Sequence, residues 1–355
     1  MRVTVLRGST LPSELSAAWS ELQLADPALA SPFFRPEYTS LVASVRPDVF
    51  VAVMEDDGGI VGFFPYQRDR LRVGWPVGGQ MSNYQAVIAR PGAVWNAAEL
   101  IRMCGLVAWD FDHLLADQEP FAPYHRSITG SPFIDLSEGF DSYALARRIA
   151  GSKQIKEIAY SSRRIERDVG PLRFEFQSSD PTVLSTLLRW KDRHHERTDS
   201  EKVLRIPWVG KLLDGMLRAR GDDFAGVLSA LYAGDHLVAA HLGLRSRTVL
   251  HLYVISYDRD FGRYSPGLMM ILATAQMAPS LGIQVIDMGR GEALYKDRLA
   301  SGTRLIAEGA VEVPSMVNRV RHAIVPARGA VRRSPIAPPV RAALRHARGR
   351  GWLGD

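Results

Sequence analysis

The sequence predicts an α/β protein of the α+β, mixed-sheet kind: two similar domains followed by a basic C-terminal tail. Three observations carry this. A strand hairpin followed by a helix and a further strand occurs twice, its returning strands at Ile60-Val61-Gly62 and Leu237-Val238-Ala239, about 177 positions apart. Residues 268–277 are apolar at most positions, too densely for a solvent-facing helix, and lead through Pro279 and Gly282 into the β-branched run Ile283, Val285, Ile286. After residue 313 the composition changes, with nine arginines and a single acid, Asp355.

A length of 355 residues suits about two domains, each long enough to bury a core. Hydrophobic content of 46% and charged content of 23% are those of an ordinary globular chain. The lone Cys104 excludes an internal disulfide framework and a multi-cysteine zinc site. The opening MRVTVLRGST has no apolar core of signal-peptide length, and the uncharged run 264–286 is broken by Pro266, Pro279 and Gly282. The expected setting is the cytoplasm. The total charge of +6 belongs to the tail, which leaves the rest near neutral.

In order, residues 3–6 read as a strand, 12–24 and 36–45 as helices, and 50–54 with 60–66 as a hairpin turned by Glu55-Asp56-Asp57-Gly58-Gly59. Residues 72–77 continue the sheet. A loop at 78–84, a helix around 95–106 and a strand around 111–115 complete the first unit. Residues 140–168 read as one basic helical stretch, whose Glu and Arg at helical spacing suit a solvated face, or whose Lys153, Lys156 and Arg163 contact an acidic group. Residues 181–197 form a helix whose apolar stripe, Leu184 and Leu188, continues into Lys191 and His195; these two either snorkel at the core rim or face a cleft. The second unit follows, with strands at 227–232, 237–244 and 248–256, the helix at 264–277 and the strand at 283–287.

The end of that last strand concentrates glycine, charge and a tyrosine in GRGEALYKDR, where open α/β sheets collect ligands. Asp287 closes the apolar strand, and burial there is expected to raise its pKa toward a useful base, although capping the following turn would explain it equally. Gly289 and Gly291 allow a sharp turn, which places Glu292 and Tyr295 three apart on one face. Asp287, Glu292 and His195 are the candidate bases. There is no HExxH, CxxC or GxxxxGK[ST], so no metal is expected.

Ser31-Pro32-Phe33-Phe34 with Pro36-Glu37, Ile60-Val61-Gly62-Phe63-Phe64-Pro65, Leu237-Val238-Ala239-Ala240, Tyr264-Ser265-Pro266-Gly267 and Asp287-Met288-Gly289-Arg290-Gly291 with Tyr295-Lys296 together carry a resemblance. The C-terminal half resembles the GNAT acyltransferase superfamily, and residues 30–310 resemble the CelD-like (cellulose-biosynthesis, BcsL-type) proteins, tandem GNAT folds akin to the FemABX transferases. The resemblance implies GNAT-like domains at 1–150 and 151–313 and a tail at 314–355. It also implies an acyl-CoA donor whose carbonyl is polarised by an N–H of the strand ending near 253–257. The pyrophosphate would meet the helix start at Arg263, Ser265 and Gly267, beside Tyr257. The usual turn, Gln/Arg-x-x-Gly-x-Gly/Ala, is matched here by Gly262, Ser265 and Gly267, and only the last fits.

By the same resemblance Tyr295 is the acid for the departing thiolate. Lys296, Lys191 and Tyr84 are placed on the substrate side. From the residues themselves, the loop 88–93 has one glycine, Gly92, to expose N–H groups, so the first copy is expected to bind no donor, and residues 78–84 suit the acceptor side of the cleft between the copies. The implied acceptor is an amine or hydroxyl of a cell-surface glycan, lipid or related metabolite. The rivals are an aminoacyl transferase using charged tRNA and a non-catalytic accessory protein of polysaccharide biosynthesis. The arginines of the tail are expected to bind an anionic membrane surface, at the inner face.

Overall fold

The computed structural model describes residues 1–194, 206–291, 294–319 and 321. The first half runs β1 (Arg2–Arg7), α1 (Ser13–Ala25), α2 (Pro36–Val45), β2 (Val49–Asp56), β3 (Gly59–Arg68), β4 (Val73–Trp75), β5 (Ile88–Ala89), α3 (Ala97–Met103), β6 (Ala108–Leu115), β7 (His125–Asp135) and α4 (Gly139–Ile149). The second runs α5 (Gln154–Asp168), β8 (Leu172–Glu175), α6 (Pro181–His194), α7 (Pro207–Arg218), β9 (Ala225–Ala233), β10 (His236–Arg245), β11 (Val249–Tyr257), α8 (Pro266–Met277), β12 (Val285–Asp287), α9 (Leu294–Leu299) and β13 (Gly302–Glu312). The fold is mixed α/β.

Among the described residues the strands join one sheet in the order β1-β2-β3-β4-β6-β13-β7-β12-β11-β10-β9-β8, with β5 on β3. The pairing repeats. β1 to β4 are antiparallel neighbours and β4 meets β6 in parallel; β8 to β11 are likewise antiparallel and β11 meets β12 in parallel. The last strand of each half is exchanged. β7 pairs with β12, β13 pairs with β6, and the two crossing strands pair with each other. This join makes the sheet continuous.

Three apolar clusters cover it. One face carries a cluster drawn from both halves, including Trp19, Phe33, Phe63, Trp190, Leu212 and Val254 under α1, α2, α6 and α7. On the opposite face α5 and α8 cover β9 to β12 through Ile158, Ile165, Met270 and Ile286. The third cluster packs α3 on the first half through Leu100, Ile101 and Trp109. At about 25 cal/mol per Å² of apolar area removed from water, such burial is the main favourable contribution to folding.

The stretch 140–168 differs from its expectation. It is two helices, parted at Gly151, whose φ of 83° only glycine adopts readily. Strands β7 and β13 are additions to the reading. Pro132 and Gly130 interrupt one, and Gly309 and paired polar residues interrupt the other, so neither shows a clean period of two.

Candidate active site

β11 and β12 pair over Val249↔Val285, Leu250↔Ile286 and His251↔Asp287, and the pairing ends there while β11 runs on to Tyr257. On the other edge of β11 the register slips. Leu242 faces Val254 and Gly243 faces Leu252, so Tyr253 is the extra residue of a bulge. A bulge bends and twists its strand. The two strands therefore part just beyond His251 and Asp287, and the chain leaves β12 through Gly289 at φ 71°.

Asp287 is 5% exposed and His251 is fully buried. The carboxylate accepts from Tyr84 Oη at 2.5 Å, Ser131 Oγ at 3.3 Å and the Gly289 N–H at 2.7 Å. His251 Nδ1 lies 3.1 Å from Asp287 Oδ1, in ion-pair range but off the line of a good hydrogen bond. Burial pushes this carboxyl upward, but His251, Tyr84 and the Gly289 N–H outweigh it and hold the group below its ordinary 3.8. The expectation that burial raises Asp287 is therefore corrected: the donors around it favour the ionised form. Tyr84 is pushed up, by burial first and by Asp287 second, so its hydroxyl keeps its proton.

Asn83 Nδ2 stands 2.8 Å from His251 Nε2. With the amide donating there, the ring proton sits on Nδ1, facing Asp287. Phe33 meets the His251 ring edge-on at 5.0 Å between centroids.

The loop at 78–84 thus reaches from the first half into the second. Gly78, at φ 81°, donates its N–H to Gln67 Oε1 at 2.7 Å, and a Cβ there would strike the Tyr38 hydroxyl. The Met81 carbonyl accepts from Tyr38 at 2.9 Å and from Tyr253, the bulge residue, at 2.8 Å. One loop holds the bulge, the imidazole and the carboxylate. In the first half β4 and β6 part in the same way after Gly74↔Trp109, but Gln85 fills that gap, bridging to Leu114. The cavity left among Phe33, Tyr38, Tyr84 and Trp109 is about 20 Å³, the size of one water.

Of the other expected residues, Tyr295 packs half-buried on the α5/α8 face, where burial raises its pKa. Lys296 is buried and donates to the carbonyls of Gly289 at 2.9 Å and Arg290 at 3.1 Å. Burial lowers its pKa against the pull of Asp287, and Lys191 lowers it further; Lys191 is itself lowered by burial. Arg263 donates to the Tyr264 hydroxyl at 2.6 Å, and that hydroxyl donates to Asp168 at 3.1 Å. Ser265 is left-handed at φ 59°, and its carbonyl takes the N–H groups of Leu268 and Met269. Pro266 has no N–H, so the first turn of α8 offers an anion the N–H of Gly267, against the Tyr257 ring. That fits one phosphate oxygen through one N–H and the helix dipole. His195 and Glu292 lie outside the described residues.

His251, Asn83 and Ser131 were missed from sequence. His251 had a signal, since Val249, His251 and Tyr253 alternate along an otherwise apolar strand. Asn83 and Ser131 had none, because their roles come from contacts 168 and 156 positions away.

Residues 152–297 match the family model described as acetyltransferase (GNAT) domain. No curated protein matches the chain in sequence. Among solved structures, FemX is 10% identical at a TM-score of 0.58, covering 90% of this chain and 99% of its own. The C-terminal DUF2156 domain of a candidate lysylphosphatidylglycerol synthetase from Agrobacterium fabrum is 12% identical at 0.52, covering 97% of this chain and 98% of its own. A tandem GNAT protein from the clavulanic acid biosynthesis pathway is 12% identical at 0.49, covering 88% and 99%. With the parted strands, the bulge and the match over its C-terminal half, this chain has the GNAT-type acyltransferase fold.

Proposed function

We propose that the chain, as domains 1–150 and 151–313, transfers an acyl group from a thioester donor, an acyl-CoA, to an amine or hydroxyl acceptor. The observation that carries this is the parting of β11 from β12 at a buried His251–Asp287 pair. The donor supplies the activated carbonyl. A backbone N–H of the bulged strand polarises it. The acceptor displaces the Asn83 amide from His251 Nε2, that nitrogen takes the proton of the attacking amine or hydroxyl, and Asp287, kept ionised, steadies the imidazolium. The new C–N or C–O bond forms as the C–S bond breaks, and Tyr295 gives the departing sulfur its proton.

The donor enters from the α8 face, past Gly267 and Tyr257, with Arg263 and Ser265 at the turn. The acceptor enters from the face of the 78–84 loop, near Tyr84, Lys296 and Lys191. The resemblance to CelD-like proteins supports a glycan, lipid or related metabolite as acceptor.

One observation favours a second donor, aminoacyl-tRNA: the single N–H at the start of α8 is a poor cradle for a pyrophosphate. A melting screen of the full chain against acyl-CoA species and charged tRNA separates the two, because a bound donor stabilises the fold by mass action. A rise with acyl-CoA, together with acceptor-dependent thiol release, supports the first reading. A rise with charged tRNA alone replaces it by the second, and no rise with either removes both.

A further inference from the structure

Helix α4 is poorly covered. Of its residues only Tyr143 is buried, tied down by its hydroxyl to the Leu299 carbonyl at 2.8 Å. Leu145 and Ile149, one turn apart, are 46% and 77% exposed, and Tyr160 on α5 is 64% exposed. Apolar side chains at i and i+4 share one helix face. Arg147 and Arg148 close α4, Lys153 caps the start of α5 and Lys156 and Arg163 lie on it, against the single acid Glu157 within residues 145–163. Among the described residues, Arg148, Lys153, Lys156 and Arg163 have no acidic partner.

We propose that this α4–α5 elbow docks on an anionic lipid surface, with Leu145 and Ile149 inserted below the headgroups and the basic side chains on the phosphates. Exposed aliphatic residues beside unpaired cations are what such an interface takes up. A polyphosphate chain would use the cations but has nothing for the aliphatics. The arginine-rich residues 322–355 repel a basic face, and so does a second copy of it. The elbow also adjoins the proposed site, since Ser152 donates to the carbonyl of Arg298 on α9, the helix that carries Lys296. Docking here goes beyond acyl transfer and does not depend on it.

The test is co-sedimentation of the full chain with vesicles of phosphatidylcholine alone and with a third phosphatidylglycerol. Leu145→Asp/Ile149→Asp keeps every basic residue, the tail included, and is expected to bind acidic vesicles about tenfold or more weakly. Lys153→Glu/Lys156→Glu should weaken acidic vesicle binding to a similar degree. Because these positions are exposed, melting temperatures should stay within a degree or two. Unchanged binding by the Leu145/Ile149 variant overturns the proposal and leaves the tail as the membrane contact. So does displacement of the chain from vesicles by an RNA homopolymer, if the RNA binds the Leu145/Ile149 variant as well as the native chain.

Discussion

Tyr84 and Asp287 are 203 positions apart, and the tyrosine donates to the carboxylate across 2.5 Å. The bond ties a loop of the first half to the strand end where the proposed site lies. Removing it leaves one oxygen of a buried carboxylate without its donor.

Tyr84→Phe keeps the ring and deletes that bond. Hydrogen bonds to charged groups contribute about 1.5–3 kcal/mol, so denaturant unfolding should show a loss of that size. The carboxyl loses a donor that favours its ionised form, so the acid limb of the activity profile should move to higher pH. A variant with native stability and profile places the hydroxyl outside the machinery.

Acid should weaken the fold through Asp287. Its folded pKa lies below the ordinary 3.8. Such a group stabilises the protein above its unfolded value and loses that stabilisation as pH falls through the folded value. Unfolding free energy should therefore hold down to about pH 5 and decline below about pH 4. Asp287→Asn should remove this share of the decline; an unchanged acid limb assigns it to other carboxylates.

His251→Gln should cost turnover about 10²–10⁴-fold, as expected for a lost general base. Asn83→Ala acts only through the imidazole. It frees Nε2 to take the ring proton, so it should lower kcat more than it changes KM and alter the pH profile. A rise in KM alone would make Asn83 an acceptor contact.

Tyr295→Phe separates chemistry from packing on the donor side. As the acid, its loss should reduce turnover about 10²–10⁴-fold at unchanged melting temperature. A leaving group of lower pKa, such as an aryl thioester, should recover most of the rate. Normal turnover with the native donor makes Tyr295 a packing residue.

Opening the loop is a separate prediction. Gly78→Ala adds a Cβ where the Tyr38 hydroxyl stands and strains a left-handed position. Both effects destabilise, together by about 1–3 kcal/mol. Since the loop holds Tyr253, His251 and Asp287, activity should fall below what the lost stability explains, as kcat at a temperature where the variant is fully folded will show.

Hydrophobic period, turn chemistry and charge are local, and what they govern was legible in the sequence. The hairpins at 57–58 and 234–235, the apolar helix α8 and the strand end at Asp287 all follow from residues close together in the chain. Glycine at 289 and proline at 266 likewise declare their turns. Strand exchange is not local: β7 and β13 find their partners through the register of a finished sheet, and their broken alternation gives no sign of it. The site is decided in the same way. Asp287 was legible as a strand end, but its ionisation depends on His251, Tyr84 and the Gly289 N–H, of which the first two are brought within 3.1 Å only by the folded sheet. Burial alone would have raised its pKa; the donors that reverse the shift come from three separate strands and loops, and their effect falls off within hydrogen-bond distance.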